Sequence, residues 1–252
     1  MKTMKYLALT LTFLIALSSC SAGQAPLRVL FIGNSYVFVN DLPGTFAALA
    51  KSGGHPVETG MAAEGGWTLY QHANSTQTLE QLNSSHWDYV VLQEQSQIPS
   101  VEQYRVQKMF PAARLLVQQI QQAGARPVFF LTWAHRDGWP EEGLSDYESM
   151  QLQINQGYMA IANESHSPVA PVGYAWLTAW LQNPQLSLWQ LDGSHPSTAG
   201  TYLAACVFYA AIFIENPEGL AYRAHLPADT AKYLQTLAAN TVLTDPSAWN
   251  LP

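Results

Sequence analysis

Five short runs, nearly all apolar, recur along the chain, and longer stretches of helical character separate them. They are "LRVLFI" (27–32), "HPVETGMAA" (55–63), "WDYVVLQ" (87–93), "RPVFFLTW" (126–133) and "PVAPVG" (168–173). Such strand-length runs lack the polar-apolar alternation of a sheet with one wet face, so they fit strands covered on both sides. Strand and helix alternating in this way predict a parallel sheet between two helical layers. We therefore expect a three-layer α/β/α sandwich with a central, mostly parallel five-stranded sheet.

The segments between the runs support this reading. "LPGTFAALAKSGG" reads as a helix stopped by Gly53 and Gly54, and "WTLYQHANSTQTLEQLNSS" is mostly helical. A long helix is expected over 101–123, kinked or broken at Pro111 and capped by Gly124. "DYESMQLQINQGYMAIANES" is helical, and after Tyr174 helix resumes, interrupted by a loop at 184–196. No repeat, low-complexity tract or interdomain linker appears, so residues 27–252 read as one domain.

The N-terminus has a different character. Lys2 and Lys5 precede an apolar run from Tyr6 to Leu17 and then small residues, the layout of a secretory signal peptide. Leu17-Ser18-Ser19-Cys20 resembles a bacterial lipobox, which makes residues 1–19 a lipoprotein-type signal, Cys20 the lipidated residue and 20–26 a linker. Ser21 is not acidic, which by resemblance to Gram-negative lipoproteins points to the outer membrane, facing periplasm or cell surface. The alternative is cleavage after Gly23, giving a periplasmic or secreted protein.

Removing residues 1–19 takes Lys2 and Lys5 from 11 basic residues, leaving 9 against 18 acidic ones, a net charge of −9. No basic stripe remains to follow a phosphate backbone, which argues against nucleic acid as a partner. Membrane contact is expected only through the lipid. Cys206 stays as the one thiol of the domain, within "YLAACVFYAAIFI", and reads as a small core residue.

In parallel α/β sheets, ligands bind beyond the carboxyl ends of the strands. Four of the five runs lead into polar or glycine-rich groups: Gly33-Asn34-Ser35, Glu64-Gly65-Gly66-Trp67, Gln93-Glu94-Gln95-Ser96 and Trp133-Ala134-His135-Arg136. "LDGSHPSTAG" stands near the C-terminus. There Asp192 and His195 are spaced so that the carboxylate accepts the Nδ1 proton, leaving Nε2 as a base. A serine hydroxyl is a poor nucleophile without such a base. Gly33 lets the chain turn sharply, so that Ser35 opens a helix with its own N–H free to face an oxyanion. The Gly66 N–H and a neutral side-chain amide, Gln93 or Gln95, are further candidate donors. No cluster with zinc-ligand spacing is visible, and the chemistry requires neither metal nor cofactor.

At this point the chain resembles the SGNH hydrolases, the superfamily that includes GDSL esterases. "FIGNS" is similar to the first block, with Ser35 as nucleophile, and "EGGW" to the second, with Gly66 as oxyanion donor. "LQEQS" stands where the third block carries an asparagine donor, and "DGSH" matches the last block with Asp192 and His195. The usual Gly-Asp-Ser is Gly-Asn-Ser here, through Asn34, and the third-block asparagine is replaced by glutamine, for which we take Gln93. The resemblance implies the flavodoxin-like fold and ester hydrolysis through an acyl-serine.

The expected substrate is an acylated small molecule or glycan, most simply an O-acetylated carbohydrate. Trp67, Trp133, Trp139 and His135 are candidates for stacking or contact at the site edge, and Asn34 for substrate contact. His55, His72, His86, His166 and His225 read as solvated. Two other functions fit the same residues: acyl transfer to a sugar, and an inactive glycan-binding lipoprotein.

Overall fold

The computed structural model describes residues 25–252; the expected signal sequence and the lipidation expected at Cys20 fall outside the described residues. The expected strands form one sheet: β1 (Leu27–Gly33), β2 (Val57–Ala63), β3 (Tyr89–Leu92), β4 (Arg126–Phe130) and β5 (Val169–Ala170). All neighbouring pairs are parallel, in the order β2-β1-β3-β4-β5. Residues 29–32, 90–92 and 128–130 are buried on both faces, as unalternating apolar runs require. The run carrying Glu58 and Thr59 becomes β2, where a sheet edge tolerates polar side chains.

Among the described residues, ten α-helical segments connect and cover the strands. They are α1 (Ser35–Phe38), α2 (Leu42–Ser52), α3 (Leu69–Ala73), α4 (Thr76–Asn83), α5 (Glu102–Tyr104), α6 (Phe110–Gln122), α7 (Tyr147–Ser165), α8 (Val172–Gln182), α9 (Thr198–Phe213) and α10 (Ala228–Leu243). Helix α9 packs against α2, α8 and α10. Its Phe208 meets the edges of Phe31 and Phe130 at 5.4 and 5.1 Å, filling the space above the sheet. Helix α6 packs between α3 and α7, and Tyr158 of α7 meets Phe129 edge-on at 6.4 Å. Cys206 is fully buried in α9, and burial pushes its thiol well above the ordinary range.

Two expected helices are interrupted, each for a local reason. The stretch 101–123 holds a π-helical turn at Arg105–Met109, in which the Phe110 N–H reaches back to the Arg105 carbonyl. Pro111 follows directly; it lacks an N–H and its ring crowds the carbonyl four residues back, so the register slips before it. The stretch after Trp67 divides at Ser75, whose hydroxyl caps α4 by accepting the Thr78 N–H.

The chain leaves β1 towards β2, while β3 lies on the other side of β1. Strand order reverses there, so the carboxyl ends of β1 and β3 border the crevice that this topology creates.

Candidate active site

Strand β1 ends at Gly33 because nothing larger fits: a Cβ there would run into the Gln93 side chain and Val37. Asn34 then caps α1, its Oδ1 accepting the Tyr36 N–H at 3.1 Å. Ser35 is the first helical residue, half-buried, and its N–H has no hydrogen-bond partner among the described residues. Beneath the turn, His72 Nε2 lies 2.7 Å from the Gly33 carbonyl and Nδ1 lies 3.0 Å from the Thr78 hydroxyl. A carbonyl only accepts, so Nε2 carries the proton and Nδ1 accepts from Thr78. Burial pushes the ring's pKa below its usual value, favouring the neutral form.

His72 is thus a buried brace of the strand end, not the solvated residue its polar surroundings suggest. The missed signal is the spacing Leu69, His72, Ala73, which places the ring on the buried face of α3. His55 departs from expectation too: it stacks on Phe213 at 4.1 Å and reaches Glu215 at 2.9 Å.

On the loop before α9, Gly193 N–H closes a turn onto the Gln190 carbonyl, and Gly193 adopts φ +69°. Asp192 Oδ1 accepts the N–H groups of Ser194 and His195 at 2.9 and 3.0 Å, and Oδ2 lies 2.6 Å from His195 Nδ1. Partial burial pushes the Asp192 carboxyl up, but these donors outweigh it and hold the group below the usual carboxylate range. The other ring nitrogen, Nε2, lies 2.9 Å from Ser35 Oγ. Residues 160 positions apart are thereby in hydrogen-bond contact. The Arg136 N–H donates to the Gly193 carbonyl at 2.7 Å and pins the turn to the loop that follows β4.

The turn after β2 is tied to the same place. Glu64 N–H reaches the Gly33 carbonyl at 3.3 Å, and Asn34 Nδ2 donates to the Trp67 carbonyl at 2.9 Å. Asn34 therefore serves as a structural bracket, buried at 3% exposure, and not as a group open to substrate. Trp67 N–H closes on the Glu64 carbonyl, with Gly66 at φ +73°, where a side chain would be strained. The Gly66 N–H has no hydrogen-bond partner among the described residues.

Gln93 requires a correction. Its Oε1 accepts the Asn34 N–H at 2.8 Å, and its Nε2 donates to the Glu94 carbonyl at 2.5 Å. The side chain is fully buried, so it braces the peptide ahead of Ser35 and does not stand open as an oxyanion donor. Glutamine is one methylene longer than the asparagine of the resembling block, which lets its amide reach into the backbone of the neighbouring strand end. Gln95 is no substitute: its Oε1 accepts the Gln97 and Ile98 N–H groups, and its Nε2 reaches Gln97 Oε1.

Trp133 is corrected too. It has no exposed surface and stacks between Trp176 at 3.9 Å and Tyr36 at 4.5 Å, with Nε1 donating to the Ser194 carbonyl at 3.0 Å. The ring follows a buried strand directly, and its depth was invisible without the helices that cover it. Trp133→Ala is expected to cost about 3–5 kcal/mol of stability, checked by denaturant unfolding, whereas a substrate platform would show its loss in KM. Tyr36 joins the site unannounced: its hydroxyl meets Ser194 Oγ at 2.8 Å, and its ring packs edge-on to His195 at 6.0 Å. Burial pushes its phenol up to about 12.

Three expected rim residues remain partly accessible. His135 is half-buried, its Nε2 2.9 Å from Ser96 Oγ, and burial pushes its pKa down, with Asp192 opposing and His195 adding to the shift. Trp67 is half-buried and packs edge-on to His72 at 5.0 Å. Trp139 leans on Tyr104 at 6.2 Å and belongs largely to its own loop.

A parallel β2-β1-β3-β4-β5 sheet with serine, histidine and aspartate gathered at its carboxyl edge is the architecture of the SGNH hydrolases, the superfamily of GDSL-like lipases and esterases. Solved structures with this fold support an ester-bond hydrolase. A protein of Slackia heliotrinireducens assigned as an SGNH hydrolase is 28% identical, with a TM-score of 0.65, covering 75% of this chain and 100% of its own. A DUF4886 family protein from Bacteroides uniformis has a TM-score of 0.68 at 19% identity, covering 87% of this chain and 95% of its own. An acetyl xylan esterase has a TM-score of 0.59 at 15% identity, covering 74% of this chain and 100% of its own. No protein-family model matches the sequence, and neither does any curated protein.

Proposed function

We propose that the protein is a serine esterase that hydrolyses O-acyl esters through an acyl-serine. The observation that carries this is the unbroken hydrogen-bonded line from Ser35 Oγ through His195 to Asp192, at 2.9 and 2.6 Å. His195 Nε2 takes the Ser35 proton as Oγ attacks the ester carbonyl, and Asp192 stabilises the imidazolium that forms. The free N–H groups of Ser35 and Gly66 receive the oxyanion. His195 then protonates the departing alcohol, and water repeats the sequence to release the acid.

The substrate we propose is an acetylated carbohydrate. Trp67 and His135 keep accessible faces beside the candidate site, and one protein with the same fold is an acetyl xylan esterase. The Ser35–His195 end of the site is only half-buried, which suits a small acyl group on a large alcohol more than a long chain needing an enclosed tunnel. The test is hydrolysis of p-nitrophenyl acetate, p-nitrophenyl decanoate and a panel of acetylated sugars. Acetate release from sugars at kcat/KM above that for the decanoate ester is expected. Preference for the long-chain ester would remove the carbohydrate reading, and no turnover of any ester would remove the esterase.

A further inference from the structure

We infer that Glu94 is a positioning residue for this reaction, holding the Gly66 turn at the distance from Ser35 that oxyanion binding needs; the inference rests on the esterase reading. Glu94 stands just past β3 with no exposed surface. Its Oε1 accepts two N–H groups, from Leu69 at 3.1 Å and from Gln95 at 2.7 Å. Its own N–H donates to the Tyr158 hydroxyl at 2.9 Å, and its carbonyl accepts the Gln93 amide. Glu94 thus joins the end of β3 to α7 on one side and to the start of α3 on the other.

The reach to Leu69 is the informative part. Residues 64–67 form the turn that presents the Gly66 N–H, and Thr68 and Leu69 follow at once. Both ends of the turn are tied to the end of β1, Glu64 N–H to the Gly33 carbonyl and the Trp67 carbonyl to Asn34 Nδ2, and His72 of α3 reaches the same Gly33 carbonyl. All of those ties run to the β1 side, and Glu94, through the Leu69 N–H just after the turn, supplies the tie to the β3 side. The turn is then spanned between the two strands that border the crevice.

Retaining a carboxyl here is costly. Oε2 is buried without a hydrogen-bond partner, and burial pushes the group up to about 7, with the Gln95 and Leu69 N–H groups and the Lys108 charge opposing. A side chain serving only the core would be better apolar, whereas a double acceptor at this point needs an oxygen. The requirement is for an acceptor of this length and not for charge, which gives the inference a sharp test.

Glu94→Gln keeps the Oε1 acceptor, while Glu94→Asp keeps the charge but withdraws the oxygen by one methylene. With p-nitrophenyl acetate, kcat of Glu94→Gln is expected within about 3-fold of wild type. That of Glu94→Asp should fall by about 10–100-fold with KM little changed, since a displacement of about 1 Å costs on that order. Amide hydrogen exchange over residues 64–69 should quicken in Glu94→Asp and stay unchanged in Glu94→Gln. Equal kcat in all three proteins, an equal loss in both variants, a loss confined to KM, or unchanged exchange in Glu94→Asp would each overturn the role. If the wild type fails to turn over the ester, the esterase reading falls by itself, and the exchange comparison still reports on the tie.

Discussion

Ser35→Ala is expected to lower kcat for p-nitrophenyl acetate by at least about 10⁴-fold, towards the level that binding and oxyanion contacts alone sustain. Ser35 supplies the attacking oxygen in the proposed mechanism, and among the described residues no other hydroxyl is hydrogen-bonded to His195 Nε2. Ser194 Oγ, the nearest rival by sequence, is engaged by the Tyr36 hydroxyl at 2.8 Å. The substitution removes one half-buried hydrogen bond, so stability should change by only about 1 kcal/mol. A fluorophosphonate probe should label the wild type on Ser35 and leave the variant untouched. Turnover of the variant within tenfold of wild type would end the nucleophile assignment.

Asp192→Asn is expected to cost on the order of 10⁴ in kcat while leaving the loop in place, the size of effect seen for the equivalent change in the serine-protease template. Asparagine still presents an oxygen to the Ser194 and His195 N–H groups, which close the turn at 2.9 and 3.0 Å. It places an NH2 where Oδ2 now accepts from His195 Nδ1. Nδ1 must then accept, the ring proton moves to Nε2, and Nε2 can no longer receive the Ser35 proton. The pH dependence has a definite sign. The Asp192 carboxyl is held below its usual range, so the stability its ionised form gives the turn is present above the ordinary carboxylate pKa and lost as pH falls through the lowered one. Steady-state kinetics with circular dichroism checks the prediction; a loss below tenfold in a folded variant would remove Asp192 from the mechanism.

Parts of this site were legible because they are local. Gly33-Asn34-Ser35 at the end of an apolar run, and Asp192 three residues before His195, carry their geometry in short-range sterics and hydrogen bonds. Gln93, His72 and Trp133 were misread for the opposite reason. Each has a polar or amphipathic side chain whose role depends on what covers it, and its partners lie 59, 39 and 61 residues away in sequence. Glu94 gave no signal at all, since a glutamate between two glutamines after a strand looks like any polar loop. Only the packing of α3 and α7 over the end of β3 reveals that it is fully buried.

Residue order alone settled that five apolar runs would be strands, that they would lie parallel beneath helices, and that the polar residues after them would share one edge. It did so because strand burial and right-handed crossovers leave few other ways to cover such runs. Tertiary structure decided which of those edge residues face the crevice and which turn inward to hold it. That choice depends on donor-acceptor distances between segments far apart in the chain, and a shift of one methylene, as from asparagine to glutamine, is enough to change it.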